Sequence, residues 1–376
     1  ARELSMAVCE ELTKKYQLPR EAIFLSCSHT HSGPIVGGNL AAMYSLDEAQ
    51  TRLVEEYAEA LKPKLVGLVG AALADLGPAD LSQGRDLVTF AVNRRTNPEG
   101  AVVKRRELGQ LKGPVDHDVP VLAVRAKDGK LRAVLFGYAC HATVLSGYQY
   151  CADYPGFAQT AVEQAHAGCL ALFFAGCGGD QNPLPRRSAT MAEGYGKELA
   201  RGVNDVLKAP MASITGRLGM SYAEVNVPFA DLPTREKLIQ DTMSTHKATA
   251  NRAKKLLAEL NRGIPMRSSY PYPVQAWQLG PDLTLVMLGG EDVVDYSLRL
   301  KRELGRESTW VAGYANDVMA YIPSLRVLKE GGYEGGGSMP IYGLPSVWGP
   351  KIEEIIIAAA HAQAEKAKMA EKAAKK

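Results

Sequence analysis

Two histidines one residue apart, in His29-Thr30-His31-Ser32-Gly33-Pro34, are the residues of this chain most suited to chemistry. In extended backbone side chains alternate, so both imidazoles would face one side, as a metal-binding pair does. Three further polar residues stand where a motif places them: His141 after Cys140, Glu291 after Gly289-Gly290, and Asp180 after Gly176-Cys177-Gly178-Gly179. Two histidines and a glutamate are a common ligand set for a catalytic zinc that keeps one position open for water. Such an ion lowers the pKa of its water to about 7 and yields a hydroxide nucleophile at neutral pH. Each residue also has a plainer role. A lone histidine pairs readily with backbone, Glu291 fits the cap of a helix through Val294 and Leu298, and Asp180 fits a turn whose amides it accepts. We count Asp180 among the catalytic candidates. His117 is held in reserve, and His166, His246 and His361 read as non-catalytic. The glycine-rich turn lacks the Lys-Ser/Thr ending of a phosphate loop, and no Gly-x-Ser-x-Gly element marks a nucleophilic serine.

These residues need elements to position them. Ala22 to Cys27 reads as a short strand delivering His29 and His31 into a loop. Val119–Val124 and Leu131–Tyr138 read as a hairpin about Asp128-Gly129, the second strand running into His141. Leu170–Phe174 empties into the turn holding Asp180, and Leu283–Leu288 ends at Glu291. Helices are expected over Glu3–Tyr16, Leu46–Leu76, Ala158–Ala167 and Met191–Leu207, with strand material over Ile214–Val227. The expected class is therefore α/β, with mixed β-sheets flanked by helices and the active site at strand ends. One domain over residues 1–360 is expected, with a polar helical excursion at about 233–261 and a charged Ala/Lys-rich tail at 361–376, read as disordered. The glycine-rich stretch Gly331 to Gly349 is a lid candidate. Tyr342, Leu344, Val347 and Trp348 there fit an acyl groove or the core equally well.

Composition narrows the function classes. A net charge of +3, with no basic block interleaved with aromatics, argues against nucleic acid as a partner. No apolar run reaches membrane-spanning length. The start, Ala1-Arg2-Glu3-Leu4, shows no signal-peptide pattern and no initiator methionine, as in a processed or truncated chain. The six cysteines include no Cys-x-x-Cys pair, which argues against a zinc knuckle. They read as buried apolar thiols, with a Cys140–Cys151 disulfide as the alternative.

Taken in order, the motifs resemble the neutral, non-lysosomal ceramidase family in its catalytic domain. His29-Thr30-His31-Ser32-Gly33-Pro34 resembles its hallmark. Asn93-Arg94, Tyr138-Ala139-Cys140-His141-Ala142-Thr143, Asp153-x-x-Gly156-x-Ala158, Gly179-Asp180, Gly290-Glu291 and Gly313-Tyr314-Ala315-Asn316 resemble later motifs, with Tyr321 and Tyr333 at a similar spacing. The resemblance implies Zn2+ as cofactor, with His29, His141, Glu291 and Tyr321 as its ligands. It places His31, Arg94 and Tyr333 against the substrate carbonyl or its oxyanion. The implied reaction is attack of zinc-bound hydroxide on an amide carbonyl, with His31 or Tyr333 passing a proton to the leaving amine. A small-molecule or lipid-like acyl amide is the implied partner, and a secreted or periplasmic setting the implied compartment. The chain departs from the family where Gln181-Asn182-Pro183 follows Gly-Asp in place of a stretch carrying a serine, which points to an acyl amide other than ceramide. Two rival readings remain: a metal-dependent esterase or lactonase, and a non-catalytic binder that keeps the fold.

Overall fold

Alternation of apolar side chains along the strands dictates how the protein is layered. The computed structural model describes residues 2–373. One sheet, in the order β5-β4-β3-β1-β7, comprises β1 (Ala79–Leu87), β3 (Asp118–Ala126), β4 (Leu131–Tyr138), β5 (Leu170–Ala175) and β7 (Ala212–Ile214). A second, in the order β12-β10-β9-β8, comprises β8 (Leu218–Pro228), β9 (Ser269–Leu279), β10 (Leu283–Leu288) and β12 (Thr309–Ala312). Two short pairs complete the set: β2 (Ala91–Asn93) with β6 (Gln181–Pro183), and β11 (Glu291–Asp292) with β13 (Tyr321–Ile322).

Side chains two apart share a face of a strand. In β10, Leu283, Leu285 and Met287 meet Phe174 of β5 and Leu122 and Leu135 of the first sheet, so the two sheets pack on each other. The alternate residues Val286 and Leu288 turn to the helices Val294–Leu304 and Ile352–Ala373. Likewise Val119, Val121 and Val134 point away from the sheet interface, to the helices Asp153–Ala165 and Ala189–Lys208. The order is thus helix, sheet, sheet, helix, with the central strands β3 and β10 buried on both faces. This is the mixed α/β class expected from the sequence. The Asp128-Gly129 hairpin forms with β3 and β4 antiparallel, while β5 lies parallel to β4.

Two expectations differ from the structure. Residues 22–27 form no strand: Ser26 makes a single bridge to Ala315, and Leu25 and Asn316 share backbone and side-chain hydrogen bonds. The polar stretch at 233–261 is helical as expected, a pair of helices, Arg235–Asp241 and Lys247–Asn261, closed by Leu238, Ala253 and Leu256. The expected disordered tail is instead a helical continuation through Ala373, because Ala364, Ala367 and Glu371 recur on one face and bury against the second sheet. Its last three positions lie outside the described residues. All six cysteines are free thiols, Cys140 and Cys151 included. Among the described residues, no helix is long and apolar enough to cross a membrane.

Candidate metal centre

The two sheets meet where β4, β5 and β10 end, and glycine permits the approach. The N–H of Gly313 donates to the Ala175 carbonyl, and that of Gly179 to the Asp292 carbonyl. A Cβ at Gly178 would lie 2.6 Å from the Cys140 nitrogen, and one at Gly179 only 2.5 Å from the Glu291 carbonyl oxygen. Only a residue with no side chain lets these two turns touch.

That contact brings His141 from one sheet against Glu291 from the other. Nε2 of His29, Nε2 of His141 and a carboxylate oxygen of Glu291 converge within 4.8 Å of one another. Glu291 Oε2 lies 3.2 Å from His141 Nε2 and 3.3 Å from His29 Nε2. His141 Nδ1 sits 2.7 Å from the Gly178 carbonyl, a contact that requires the proton on Nδ1 and leaves a lone pair on Nε2. The Tyr321 hydroxyl, 3.0 Å away, donates to that lone pair. Burial, then the Arg94 charge, lowers the His141 pKa to about 4. Burial alone would raise the Glu291 carboxyl, but His29 and His141 outweigh it and hold it well below the usual carboxylate range. An ionised carboxylate and an imidazole lone pair thus face each other in a buried setting. Two acceptors at that distance repel unless a cation lies between them. Two imidazole nitrogens, a carboxylate and a nearby phenol suit zinc in chemistry and number.

The remaining candidates surround this cluster. His31 Nε2 is 3.3 Å from His29 Nε2, at the exposed rim. Backbone in the left-handed region at His29 (φ 60°), not an extended strand, brings the two rings together. Non-glycine residues adopt that region at a cost, and here it recurs at Tyr314 and Asn316 beside the cluster. The loop is fastened by the Thr30 hydroxyl donating to the Cys151 carbonyl and by Cys151 N–H donating to Ser32. Arg94, at the end of β2, reaches within 3.5 Å of His141 Nε2 and hydrogen-bonds Asn182 Oδ1. Its Nε donates to Glu334 at 2.7 Å, and its guanidinium lies 5.4 Å from the Tyr321 ring and 5.7 Å from the Tyr333 ring. Tyr333 is half-exposed, edge-on to Tyr321.

Asp180 does not join this group. It is fully buried and accepts from Val294 N–H at 2.8 Å and from Asn93 Nδ2 at 2.9 Å, while its carbonyl accepts from Arg94 N–H. It therefore caps the helix that starts at Val294 and positions Arg94 from behind, with its carboxyl pushed up to about 6 by burial. The capping role read for Glu291 thus falls to Asp180. Gln181 is likewise structural, donating to the Ala139 carbonyl and accepting from Asp116 N–H. His117 contacts the Ala91 carbonyl, His166 contacts Asn204, His246 caps a helix and His361 meets Glu303, all away from the cluster.

Two tyrosines contact Glu291 that the sequence did not place beside it. The Tyr342 hydroxyl donates to Glu291 Oε1 in a short hydrogen bond, and Tyr314 OH lies 3.4 Å from Oε2. Tyr314 sits inside a quoted motif, but Tyr342 carried no spacing signal. The segment 331–349, a lid candidate, is tied to the site by Tyr342 and by Glu334, whose two oxygens pair with Arg94 and Arg95. Trp348 is core: it stacks on Phe229 and donates to the Tyr321 carbonyl.

No protein-family model matches the chain, and no curated protein matches it. Solved structures do. A neutral ceramidase from Pseudomonas aeruginosa superposes with a TM-score of 0.69 at 19% identity over 97% of this chain. A ceramidase complexed with C2 gives a TM-score of 0.70 at 17% identity, again over 97%. The chain spans 64% and 65% of the length of those two chains. The fold of this chain, helix layers and paired sheets alike, is ceramidase-like.

Proposed function

We propose that this chain is a zinc-dependent hydrolase that cleaves the amide bond of an acyl amine. The observation that carries the reading is the buried Glu291 carboxylate facing the His141 lone pair, with His29 Nε2 equally near. Those three residues, joined by Tyr321, would hold the ion. When bound, it supplies Lewis-acid polarisation of a carbonyl and a more acidic water.

The chain's own residues divide the rest of the work. Arg94 presents a guanidinium beside the cluster, where negative charge grows on the carbonyl oxygen as water adds to the carbon. Glu334 and Asn182 fix that guanidinium from two sides. His31 stands at the rim, where its imidazole can take the proton of the attacking water and return it to the nitrogen as the C–N bond breaks. Tyr333, half-exposed over Arg94, borders the entry. The products are a carboxylic acid and an amine. Support for an amide comes from the ceramidase-like fold, which houses ceramidase structures in the neighbours.

The test is hydrolysis of N-acyl amines of graded chain length, beside their matched esters, before and after exhaustive chelation. Amide cleavage that vanishes with the metal and returns on adding zinc is expected. His141→Ala and Glu291→Ala should each remove metal and turnover together. Undiminished cleavage by metal-free protein contradicts the reading, and cleavage of the esters alone moves it to the esterase class.

A further inference from the structure

A cavity of about 460 Å3 opens beside the cluster, with Arg94 and Tyr333 shared between the two. Its walls are not those of a lipid groove. Leu184 is the one aliphatic side chain on them, and Arg95, Arg186, Asn97 and Asn182 dominate. Pockets for apolar ligands are lined mainly by hydrophobic and aromatic side chains.

The charges are unevenly matched. The lining carries three guanidinium groups, Arg94, Arg95 and Arg186, against two carboxylates, with Glu334 shared by Arg94 and Arg95, Glu99 paired with Arg186, and Glu330 outside the lining adding a contact to Arg95. Arg94 Nη2 and Arg95 Nε are buried and lack any hydrogen-bond partner. A buried donor left without an acceptor is costly, more so on a charged group. Both residues line this one cavity. Guanidinium pairs are suited to planar oxyanions.

We propose that this cavity binds an anionic group of the substrate, carboxylate or phosphate, a few bonds from the scissile amide, so that the substrate is an anionic N-acyl amine such as an N-acyl amino acid. The inference rests on the reading of the neighbouring cluster as an amide hydrolase. Arg94 joins the two sites, which requires the anion to lie close to the reacting carbonyl. Arg95 and Arg186 would grip the anion, and Asn182 would keep Arg94 oriented between the two.

The experiment compares N-octanoylglycine, N-octanoyl-O-phosphoethanolamine and neutral N-octanoylethanolamine on the purified full chain. Kinetics are measured for wild type, Arg186→Gln and Arg95→Gln, with calorimetric binding of each compound beside them. Wild type should favour an anionic compound in kcat/KM, mainly through KM, and whichever anion wins names the source. Each variant should lower the anionic-to-neutral ratio by about tenfold to a hundredfold, the worth of a hydrogen bond to a charged group. Melting curves separate loss of fold from loss of preference, and the more exposed Arg186 is the safer substitution. Equal handling of neutral and anionic compounds, or a ratio unmoved in both variants, overturns the inference while leaving the hydrolase reading intact. Calorimetry reads the cavity without turnover. Anion-selective binding weakened in the variants therefore supports it even where no amide is cleaved, a result that would sink only the hydrolase reading.

Discussion

At the scale of single residues, what each polar atom faces decides what the site can hold. His141 is oriented from behind by the Gly178 carbonyl, and Glu291 by two tyrosine hydroxyls. Such supporting hydrogen bonds orient ligands and tune their basicity. Tyr342→Phe removes the donor to Glu291 Oε1 and nothing larger than an oxygen atom. We expect zinc affinity to fall about 10–100-fold, with little change in fold. Competition against a chromophoric chelator measures this, and an unchanged affinity would show that the contact does not support the ligand. His29, His141 and Glu291 were legible in the sequence because each ends or follows a short motif, whereas Arg94 was legible only through the family resemblance. Asp180 was legible as a motif residue but not in its role, since nothing in a linear sequence reveals that Val294 N–H and Asn93 will claim both its oxygens. Tyr342 was not legible as a site residue: it comes from a glycine-rich segment with no period, and only the tertiary fold carries it to Glu291.

At the scale of elements, strand ends and glycine turns set the geometry. The turn after β5 passes under β11 so closely that Gly179 has backbone where a methyl group would sit. Gly179→Ala should separate the two turns, lower stability by about 1–3 kcal/mol as overpacking does, and loosen His141 from Glu291. Thermal melting and zinc content read both effects, and a variant with normal values for each would refute the packing argument. Strands β3, β4, β5 and β10 were readable because each is a short apolar or alternating run that ends in a polar turn. The expected strand at 22–27 was not formed, since its apolar run finds only a loop partner at Ala315 and Asn316. The C-terminal helix runs on past residue 361, where a tail is expected because the alanines look featureless. Their helical spacing places Ala364 and Ala367 against Ala276 of the second sheet.

At the scale of the whole molecule, one buried charge cluster spans the layers. Lys301, on the helix Val294–Leu304, pairs with Asp116 at 2.6 Å and Asp118 at 2.9 Å, and Ser297 also donates to Asp116. Burial pushes the Asp116 carboxyl up, but the Lys301 charge and hydrogen bond outweigh it, and the folded pKa lies below its ordinary 3.8. A depressed carboxyl contributes stability that is present above the unfolded pKa and lost as the pH falls through the folded value. Lys301→Met leaves the buried Asp116 without its counter-ion and Asp118 with only the more distant Arg85 and Arg306, and should cost about 3–5 kcal/mol near neutrality. In that variant burial is opposed only by the hydrogen bonds from Ser297 and the Asp118 N–H, and the Asp116 pKa rises. The stability gap to wild type should therefore narrow as the pH falls from neutrality to about 4, where the variant's carboxyl takes up a proton that the wild type's does not. Denaturant melts at several pH values test the sign, and a gap that stays constant or widens on acidification would contradict it.

These scales meet in the claim that the two sheets converge in order to hold a cation. Equilibrium dialysis of zinc against chelator-stripped wild type and Glu291→Gln tests it most directly. The account predicts one tightly held ion per wild-type chain and none held tightly by the variant, with both proteins folded. A wild-type chain that retains no zinc, or a variant that binds it equally well, would contradict it.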